Sequence, residues 1–272
     1  MFADVGDIRI RYEMAGAGPP LVLVHGIGAD ALVWEGMLSA LGERFSVYAL
    51  DLRGFGQTIR PAQSRLSYPL WVEDVRRFVE TLGLRSASFV GWSLGATILL
   101  NLALRDTAMV RHLVLIGAPS PSRPPSDRSG FNERLRLAQA GASIEEIVEK
   151  TFYFSEQAFS PHTLEHNPLA VEKMRQTLLR NDPASYAEMV EANRTRTDIA
   201  DRIQTIACPT LLIVGDSDAR TPVAMSEDLN RSIGPSYLKI LPRCGHFYSF
   251  EQPEATANHI LRFLAAFSLR SQ

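Results

Sequence analysis

One serine lies in a setting that could make it a nucleophile. An apolar run over residues 88–92 leads into Gly91-Trp-Ser-Leu-Gly95, and a helical pattern begins at once. A sharp turn from a strand into a helix pushes the central side chain, Ser93, out of the backbone, and the two glycines leave room for that turn. Free N–H groups at the start of the helix suit a developing oxyanion. The stretch therefore predicts nucleophilic catalysis by Ser93.

A serine nucleophile needs a base, and His246 fits this role best among the six histidines. It lies in a Gly-His loop after a predicted strand, downstream of Ser93. In that position it would take the serine proton and later return it to the leaving group. His25 belongs to a His-Gly loop and is expected to shape the backbone there.

The acid that would orient the histidine has two candidates. The stretch Gly215-Asp-Ser-Asp218 follows an apolar strand and offers both Asp216 and Asp218. Either carboxylate could hold the histidine tautomer and stabilise the imidazolium, while the other would cap the loop. Spacing by itself does not choose between them.

Two histidines in a helical pattern, His162 and His166, have Glu165 between them and could contribute to a metal site. A solvated helix face fits these residues better, because a structural metal site usually needs four ligands. We therefore expect neither a metal ion nor a cofactor.

The elements that must position these residues alternate between apolar runs and helical patterns. Strands are predicted for residues 8–14, 21–24, 45–50, 88–92, 110–116, 209–215 and 236–241. This alternation is typical of a mostly parallel sheet with helices on both faces, whose chemistry lies in loops at the carboxyl ends of the strands. Every candidate named so far for nucleophile, base or acid follows a predicted strand, which favours a single site.

The alternation breaks between residues 119 and 203. Four prolines occur in residues 119–130, which excludes a helix or a central strand there. Helical patterns follow at 131–140, 143–154, 168–180, 183–193 and 198–203. We predict a core of residues 1–118 and 204–272 with an all-helical cap of residues 119–203. After the cap, Thr221-Pro222 is expected to open a helix, with the threonine as its N-cap.

Composition excludes several classes of function. The chain has 272 residues, 46% of them hydrophobic, and a net charge of −2, so it has no basic surface typical of nucleic-acid binding. The two cysteines do not make a disulfide framework. The amino terminus shows no signal-peptide pattern, and the apolar run 96–104 is too short to span a bilayer. We expect a soluble, cytoplasmic protein with no nucleic-acid or membrane partner.

Four arginines cluster at the start of the predicted cap: Arg123, Arg128, Arg134 and Arg136. They could bind a carboxylate-bearing substrate. The preferred interpretation is a solvated basic face, because that is the usual fate of a charge run.

Taken in order, these motifs resemble those of the α/β-hydrolase superfamily. The matching pieces are His25-Gly-Ile-Gly28, Asp51-Leu-Arg-Gly-Phe-Gly56, Gly91-Trp-Ser-Leu-Gly95, Gly215-Asp-Ser-Asp218 and Cys244-Gly-His246. The chain looks most like small lidded bacterial hydrolases, such as 3-oxoadipate enol-lactonases and carboxylesterases. One departure is Ala96, where many members have a second glycine.

The resemblance implies the α/β-hydrolase fold and a full set of site residues. Ser93, Asp218 and His246 would form the catalytic triad, since the family's acid usually lies three residues after the strand-ending glycine. The oxyanion hole would use the main-chain N–H groups of Leu94 and Ile27.

The expected reaction is hydrolysis of a small carboxylic ester or lactone through an acyl-enzyme on Ser93. Two other reactions could use the same triad: C–C bond hydrolysis of a β-diketone, and cofactor-free perhydrolysis as in haloperoxidases. A hydrolase-like receptor or regulator that binds a small ligand is the alternative outside enzymes.

Overall fold

The computed structural model describes residues 1–122 and 129–268. An eight-stranded sheet runs in the order β1-β2-β4-β3-β5-β6-β7-β8, with the first two junctions antiparallel and the rest parallel. Its strands are β1 (Phe2–Val5), β2 (Ile8–Ala15), β3 (Pro20–Val24), β4 (Ser46–Leu50), β5 (Ala87–Trp92), β6 (Val110–Ile116), β7 (Thr210–Gly215) and β8 (Ser236–Leu241). The predicted fold class, a mostly parallel α/β sheet, is confirmed.

Helices flank this sheet. They are α1 (Glu35–Gly42), α2 (Tyr68–Thr81), α3 (Leu94–Arg105), α4 (Ser129–Gln139), α5 (Ile144–Glu156), α6 (Pro161–His166), α7 (Pro168–Leu179), α8 (Pro183–Arg194), α9 (Val223–Ser232), α10 (Tyr248–Glu251) and α11 (Pro253–Ser268). Helix α1 packs against α11, and α2 packs against α3. The apolar stripe of α2, with Trp71, Val75 and Phe78 fully buried, shows how the helical periodicity places one face on the sheet.

The register of the parallel strands brings their carboxyl ends to one edge of the sheet. Val24 of β3 pairs with Leu50 of β4 on one side and with Gly91 of β5 on the other. Trp92 pairs with Ile116 of β6. The loops that follow these strands therefore begin at the same level, which is where side chains from distant parts of the sequence can meet.

Helices α4 to α8 lie between β6 and β7 in the chain, and the described part of residues 119–203 contains no strand. The segment is anchored over the strand ends. Asn181 donates to the carbonyl of Gly28 at 2.9 Å, and Arg180 pairs with Asp30 at 2.6 Å. The division into a core and a cap at residues 119 and 203 stays a prediction.

Two local predictions were wrong. Residues 198–202 do not form a helix, because the Asp198 carboxylate accepts the N–H of Ala200 in a turn, and only a 3₁₀ turn at Ile203–Thr205 follows. Thr221 does not cap α9, which has no side-chain cap. Its hydroxyl is bound elsewhere, as described below.

Three elements were missed: β1, α6 and the one-turn helix α10. Strand β1 pairs with β2 at the sheet edge, and α6 begins after Ser160, whose side chain accepts the N–H of Thr163. The Ser160-Pro161 pair is a usual N-cap and first-turn signal that would have located α6. The sequence also predicts a closing helix over residues 252–269, and its predicted end at Leu269 lies outside the described residues.

The described helices include none that is both long enough and apolar enough to cross a membrane. Cys208 and Cys244 are free thiols, as the lack of a disulfide framework predicted. Burial raises the pKa of Cys208 to about 11 and raises that of Cys244 further, so both remain protonated near neutral pH.

Candidate active site

Ser93 lies at the tip of the turn between β5 and α3 in a backbone conformation that is rare for a residue with a side chain. Its φ is 52° and its ψ is −106°. A positive φ at a residue other than glycine costs about 1–3 kcal/mol, so the surrounding contacts must hold it there. The N–H of Ser93 donates to the carbonyl of Ile116 at 2.9 Å, and its own carbonyl accepts the N–H of Thr97 at 3.2 Å. The side chain is thus fixed at the edge where the strands end.

The two glycines of the motif are required by close backbone contacts. A Cβ atom on Gly95 would lie 2.1 Å from the carbonyl oxygen of Val24. A Cβ atom on Gly91 would lie 2.6 Å from the carbonyl carbon of Gly95. Both distances are far inside van der Waals contact, which is the reason for Gly-x-Ser-x-Gly at this turn.

His246 and Asp218 form a buried hydrogen-bonded pair. Nδ1 of His246 lies 2.8 Å from Oδ2 of Asp218, and the ionised carboxylate makes the imidazole the donor. The same Oδ2 accepts the hydroxyls of Thr221 at 2.7 Å and Tyr248 at 2.6 Å, while Oδ1 accepts the N–H groups of Arg220 and Thr221, each at 2.8 Å. Five donors therefore converge on one carboxylate and leave Nε2 of the histidine for the cavity.

Asp218 is ionised at any ordinary pH. Burial raises its pKa, but the charge of His246 and the hydrogen bonds from His246, Tyr248 and Thr221 outweigh burial and lower the pKa to about 2. A fixed negative charge next to Nδ1 stabilises a protonated imidazole and keeps its ring in one orientation.

Asp216 has different partners. It is exposed, and its carboxylate accepts the N–H groups of Arg243 at 2.9 Å and Cys244 at 3.3 Å. These contacts are those expected of a loop-capping residue. Of the two aspartates that the spacing left open, only Asp218 bonds to His246 in the described part of the chain.

A cavity lies over Ser93 and His246, with about 680 Å³ of empty space including its opening to solvent. Leu94 and Ile27, the two residues expected to supply oxyanion donors, also line it. The apolar part of the wall consists of Trp92, Pro119, Met174, Leu178 and Phe247. The polar part includes Tyr68, Arg134, Ser155, Asn193, Arg220 and Thr221. The wall thus combines an apolar surface with a few polar groups, as small-molecule sites do.

The other histidines discussed above lie apart from this chemistry. His25 is fully buried, its Nε2 accepts the N–H of Leu52 at 3.0 Å, and its Nδ1 donates to the carbonyl of Gly26 at 2.8 Å. It shapes the backbone, as predicted, and burial lowers its pKa. His162 and His166 stack on each other at an exposed position. Within the described residues, no group of three or more His, Cys, Asp or Glu side chains is arranged to hold a metal ion.

Two residues of the site were missed by sequence reasoning, and both lie on the short helix α10. Tyr248 bonds to Asp218, and Glu251 accepts hydrogen bonds from the N–H groups of Gly245, Phe247 and Ser160 and from the hydroxyl of Thr163. Glu251 thereby joins the His246 loop to the start of α6. No local pattern distinguishes either residue, because Asp218, which binds Tyr248, and Ser160 and Thr163, which bind Glu251, lie 30 to 91 residues away in the sequence.

The basic-face interpretation of the arginine cluster was wrong for Arg134. Arg134 is only 7% exposed and lines the cavity, whereas Arg136 is exposed and pairs with Glu133 at 2.6 Å. The two residues lie two positions apart on α4 and therefore point to different sides of the helix. Arg123 and Arg128 lie outside the described residues.

We expect Tyr248→Phe to lower kcat about tenfold with little change in KM. The substitution removes one donor from the Asp218 carboxylate, and it also removes the oxygen that accepts the N–H of Gly215 at 3.3 Å. Steady-state kinetics on a chromogenic ester would measure the split between kcat and KM. Tyr237→Phe is the matched control, since Tyr237 is 51% exposed on β8. Equal kcat values for both variants would show that the Tyr248 hydroxyl does not position Asp218.

Comparison with known proteins agrees with this architecture. The sequence model of the family described as alpha/beta hydrolase fold matches residues 19–253. The chain belongs to this family. The α/β-hydrolase resemblance noted from the motifs is therefore confirmed, and the chain is a hydrolase.

Individual relatives of this α/β hydrolase act on different compounds. A 2-hydroxy-6-oxo-2,4-heptadienoate hydrolase of Pseudomonas putida is 29% identical in an alignment of 269 positions that covers 96% of this chain and 94% of the relative. A pimeloyl-[acyl-carrier protein] methyl ester esterase of Aeromonas hydrophila is 25% identical and covers 94% of this chain and 100% of its own. The structure of a thermophilic esterase from Thermogutta terrifontis superposes with a TM-score of 0.86 at 25% identity, covering 98% of both chains.

Proposed function

We propose that this hydrolase cleaves a small carboxylic ester or lactone through an acyl-enzyme on Ser93. The proposal is supported mainly by the position of two groups on one cavity. A serine held at φ 52° and a histidine bonded to a buried carboxylate open on the same cavity. This is the arrangement that nucleophilic acyl transfer needs, because it pairs an exposed hydroxyl with an oriented base.

In the first half of the reaction, Nε2 of His246 removes the proton from the Ser93 hydroxyl as its oxygen attacks the carbonyl carbon. Asp218 stabilises the imidazolium that forms and keeps its Nδ1 proton directed away from the serine. The carbonyl oxygen becomes an oxyanion, which accepts the main-chain N–H groups of Leu94 and Ile27. As the first residue of α3, Leu94 has an N–H with no acceptor inside the helix.

In the second half, the imidazolium gives its proton to the leaving alcohol or enol, and the acyl group stays on Ser93. Water then enters the cavity and loses a proton to His246 as it attacks the acyl carbon. The second tetrahedral oxyanion uses the same N–H donors, and as it collapses the imidazolium returns its proton to the Ser93 oxygen, which releases the acid and restores the serine.

Hydrolysis of a carbon–carbon bond is the second candidate. The Pseudomonas putida relative named above is a hydrolase of 2-hydroxy-6-oxo-2,4-heptadienoate, a name that describes a ketone and a carboxylate but no ester. The same site could attack a ketone, and the group that leaves would then be a carbanion stabilised by a neighbouring carbonyl or enol. The esterase relatives favour the first candidate.

A pre-steady-state experiment tests the proposal. We expect p-nitrophenyl butyrate to give a burst of one p-nitrophenolate per chain, followed by steady turnover, because acylation and deacylation are separate steps. A burst without turnover would support the receptor alternative instead. Absence of any release from esters and lactones, together with cleavage of a β-diketone, would establish the second candidate. Peracid formation with hydrogen peroxide would indicate the perhydrolase reaction.

A further inference from the structure

Arg134 is a buried cation in the wall of the cavity that also holds Ser93 and His246. It lies on α4 with its side chain held by two other helices. Nε donates to the hydroxyl of Thr151 at 3.0 Å, and one Nη donates to the hydroxyl of Tyr186 at 2.8 Å. The other Nη donates to the hydroxyl of Ser155 at 2.9 Å and to the carbonyl of Thr151 at 3.2 Å.

All of these partners are neutral. A guanidinium removed from water without a counter-charge is costly, and neutral acceptors offset only part of that cost. The ring of Tyr186, with its centroid 5.9 Å from the guanidinium carbon, adds a weak cation–π contact. No carboxylate of the described residues pairs with Arg134.

Two of the other three buried arginines in the described residues are paired with acids, and the third, Arg196, donates to the carbonyls of Ser120 and Ser122 and does not line this cavity. Arg53, which is 2% exposed, binds both Asp74 and Asp7 at 2.7 Å. Arg11 pairs with Asp51 at 3.5 Å and also contacts Glu13. None of these other arginines both lacks an acidic partner and lines the active-site cavity, as Arg134 does.

The same wall contains donors for an incoming anion. A guanidinium has five N–H donors, and four hydrogen bonds to neighbouring residues are formed by Arg134. Ser155, which also lines the cavity, accepts from Arg134 and thus keeps its own hydroxyl proton for another acceptor. One cation and one hydroxyl side by side match the two oxygens of a carboxylate.

We propose that Arg134, with Ser155, binds a free carboxylate of the substrate, so that this hydrolase prefers esters or lactones that carry an acid group away from the reacting carbonyl. The inference rests on the proposed function, because it takes Ser93 as the position of the reacting carbonyl. Substrate binding then supplies the counter-charge that the protein lacks, and Arg134 acts as a specificity-determining residue.

Matched esters test this preference. Mono-p-nitrophenyl adipate and suberate carry a free carboxylate, and their methyl esters are neutral molecules of nearly the same shape. We expect the wild-type kcat/KM to favour the acids at least tenfold. In Arg134→Met, the acid-to-neutral ratio of kcat/KM should fall about 10- to 100-fold, as expected for the loss of a charge-assisted contact. Arg134→Lys should retain part of the preference.

Arg136→Met is the matched control, because Arg136 lies on the same helix but is exposed and paired with Glu133. Its acid-to-neutral ratio should equal that of the wild type. Calorimetric titration of adipate into Ser93→Ala measures carboxylate binding without turnover, and it remains available if Arg134→Met fails to fold. Turnover of the neutral esters with no preference for acids, and no adipate binding, would overturn this inference but leave the proposed function intact. Adipate binding without turnover of any ester would overturn the proposed function and leave only a carboxylate-binding site.

Discussion

Ser93→Ala should abolish ester hydrolysis, with a loss of roughly 10⁴- to 10⁶-fold in kcat. The substitution removes the oxygen that would form the proposed acyl-enzyme while leaving the turn between β5 and α3 in place. It also relieves no backbone strain, because alanine meets the same restriction at φ 52° as serine does. Steady-state kinetics and labelling by a fluorophosphonate probe measure the effect, and both signals should disappear together.

Ser88 provides the control for this experiment. It lies on β5, the strand that leads to Ser93, and its hydroxyl is 2.9 Å from Nδ1 of His112. This second serine–histidine pair lies within the sheet and is not part of the cavity wall. Ser88→Ala should therefore keep its labelling and most of its activity, although the loss of a buried hydrogen bond costs about 1 kcal/mol of stability. Residual labelling of Ser93→Ala, or loss of labelling in Ser88→Ala, would contradict the assignment of the nucleophile.

Asp218→Asn should lower kcat by about 10³- to 10⁴-fold, with circular dichroism close to that of the wild type. The amide of asparagine can present its N–H₂ group to Nδ1 of His246. The ring then has to carry its proton on Nε2, where it can no longer accept the proton of Ser93. The carboxylate charge that stabilises the imidazolium is lost at the same time.

Asp216→Asn should cost at most about tenfold in kcat. The single oxygen of asparagine can still accept the N–H of Arg243, which makes the shorter of the two contacts, so the loop leading to His246 loses only the bond from Cys244. Side-by-side measurement of the two asparagine variants on one ester decides between the two aspartates. A larger loss in Asp216→Asn than in Asp218→Asn would overturn the assignment of the acid.

Ser93 and Asp218, the residues of the two main predictions, differ in how far the sequence alone identifies them. Ser93 was predicted from a local pattern, because the strand, the two glycines and the helix that hold it are neighbours in the chain. The fold class followed from the same kind of information, since buried parallel strands and amphipathic helices have characteristic periods. His246 was identified by its place after the last predicted strand, which already uses the topology of the sheet.

The residues near Asp216 and Asp218 in the sequence do not predict which of the two carboxylates binds His246. Both aspartates follow β7 within three residues, and both carboxylates accept main-chain N–H groups. They differ in which way the loop turns them. Asp218 enters the interior next to His246, and Asp216 remains at the surface. Of the four further donors to the Asp218 carboxylate, three belong to Arg220 and Thr221 in the same loop, whereas the Tyr248 hydroxyl comes from α10.

The position of Arg134 in the cavity wall could likewise not be predicted from its neighbours in the sequence. Its neighbourhood in the sequence is rich in charge, which is typical of a solvated surface and led to the wrong expectation. The partners that hold it belong to α5 and α8, between 17 and 52 residues further along the chain.

The sequence by itself determined the fold, the turn that exposes Ser93 and the order of the candidate residues along the strand ends. These properties arise from contacts between residues that are close in the chain or from periodic burial. Only the tertiary structure decided which aspartate meets His246, which tyrosine and glutamate support that loop, and which arginine enters the cavity. Those outcomes depend on side chains brought together from separate elements, and no local pattern records which of them will be buried against each other.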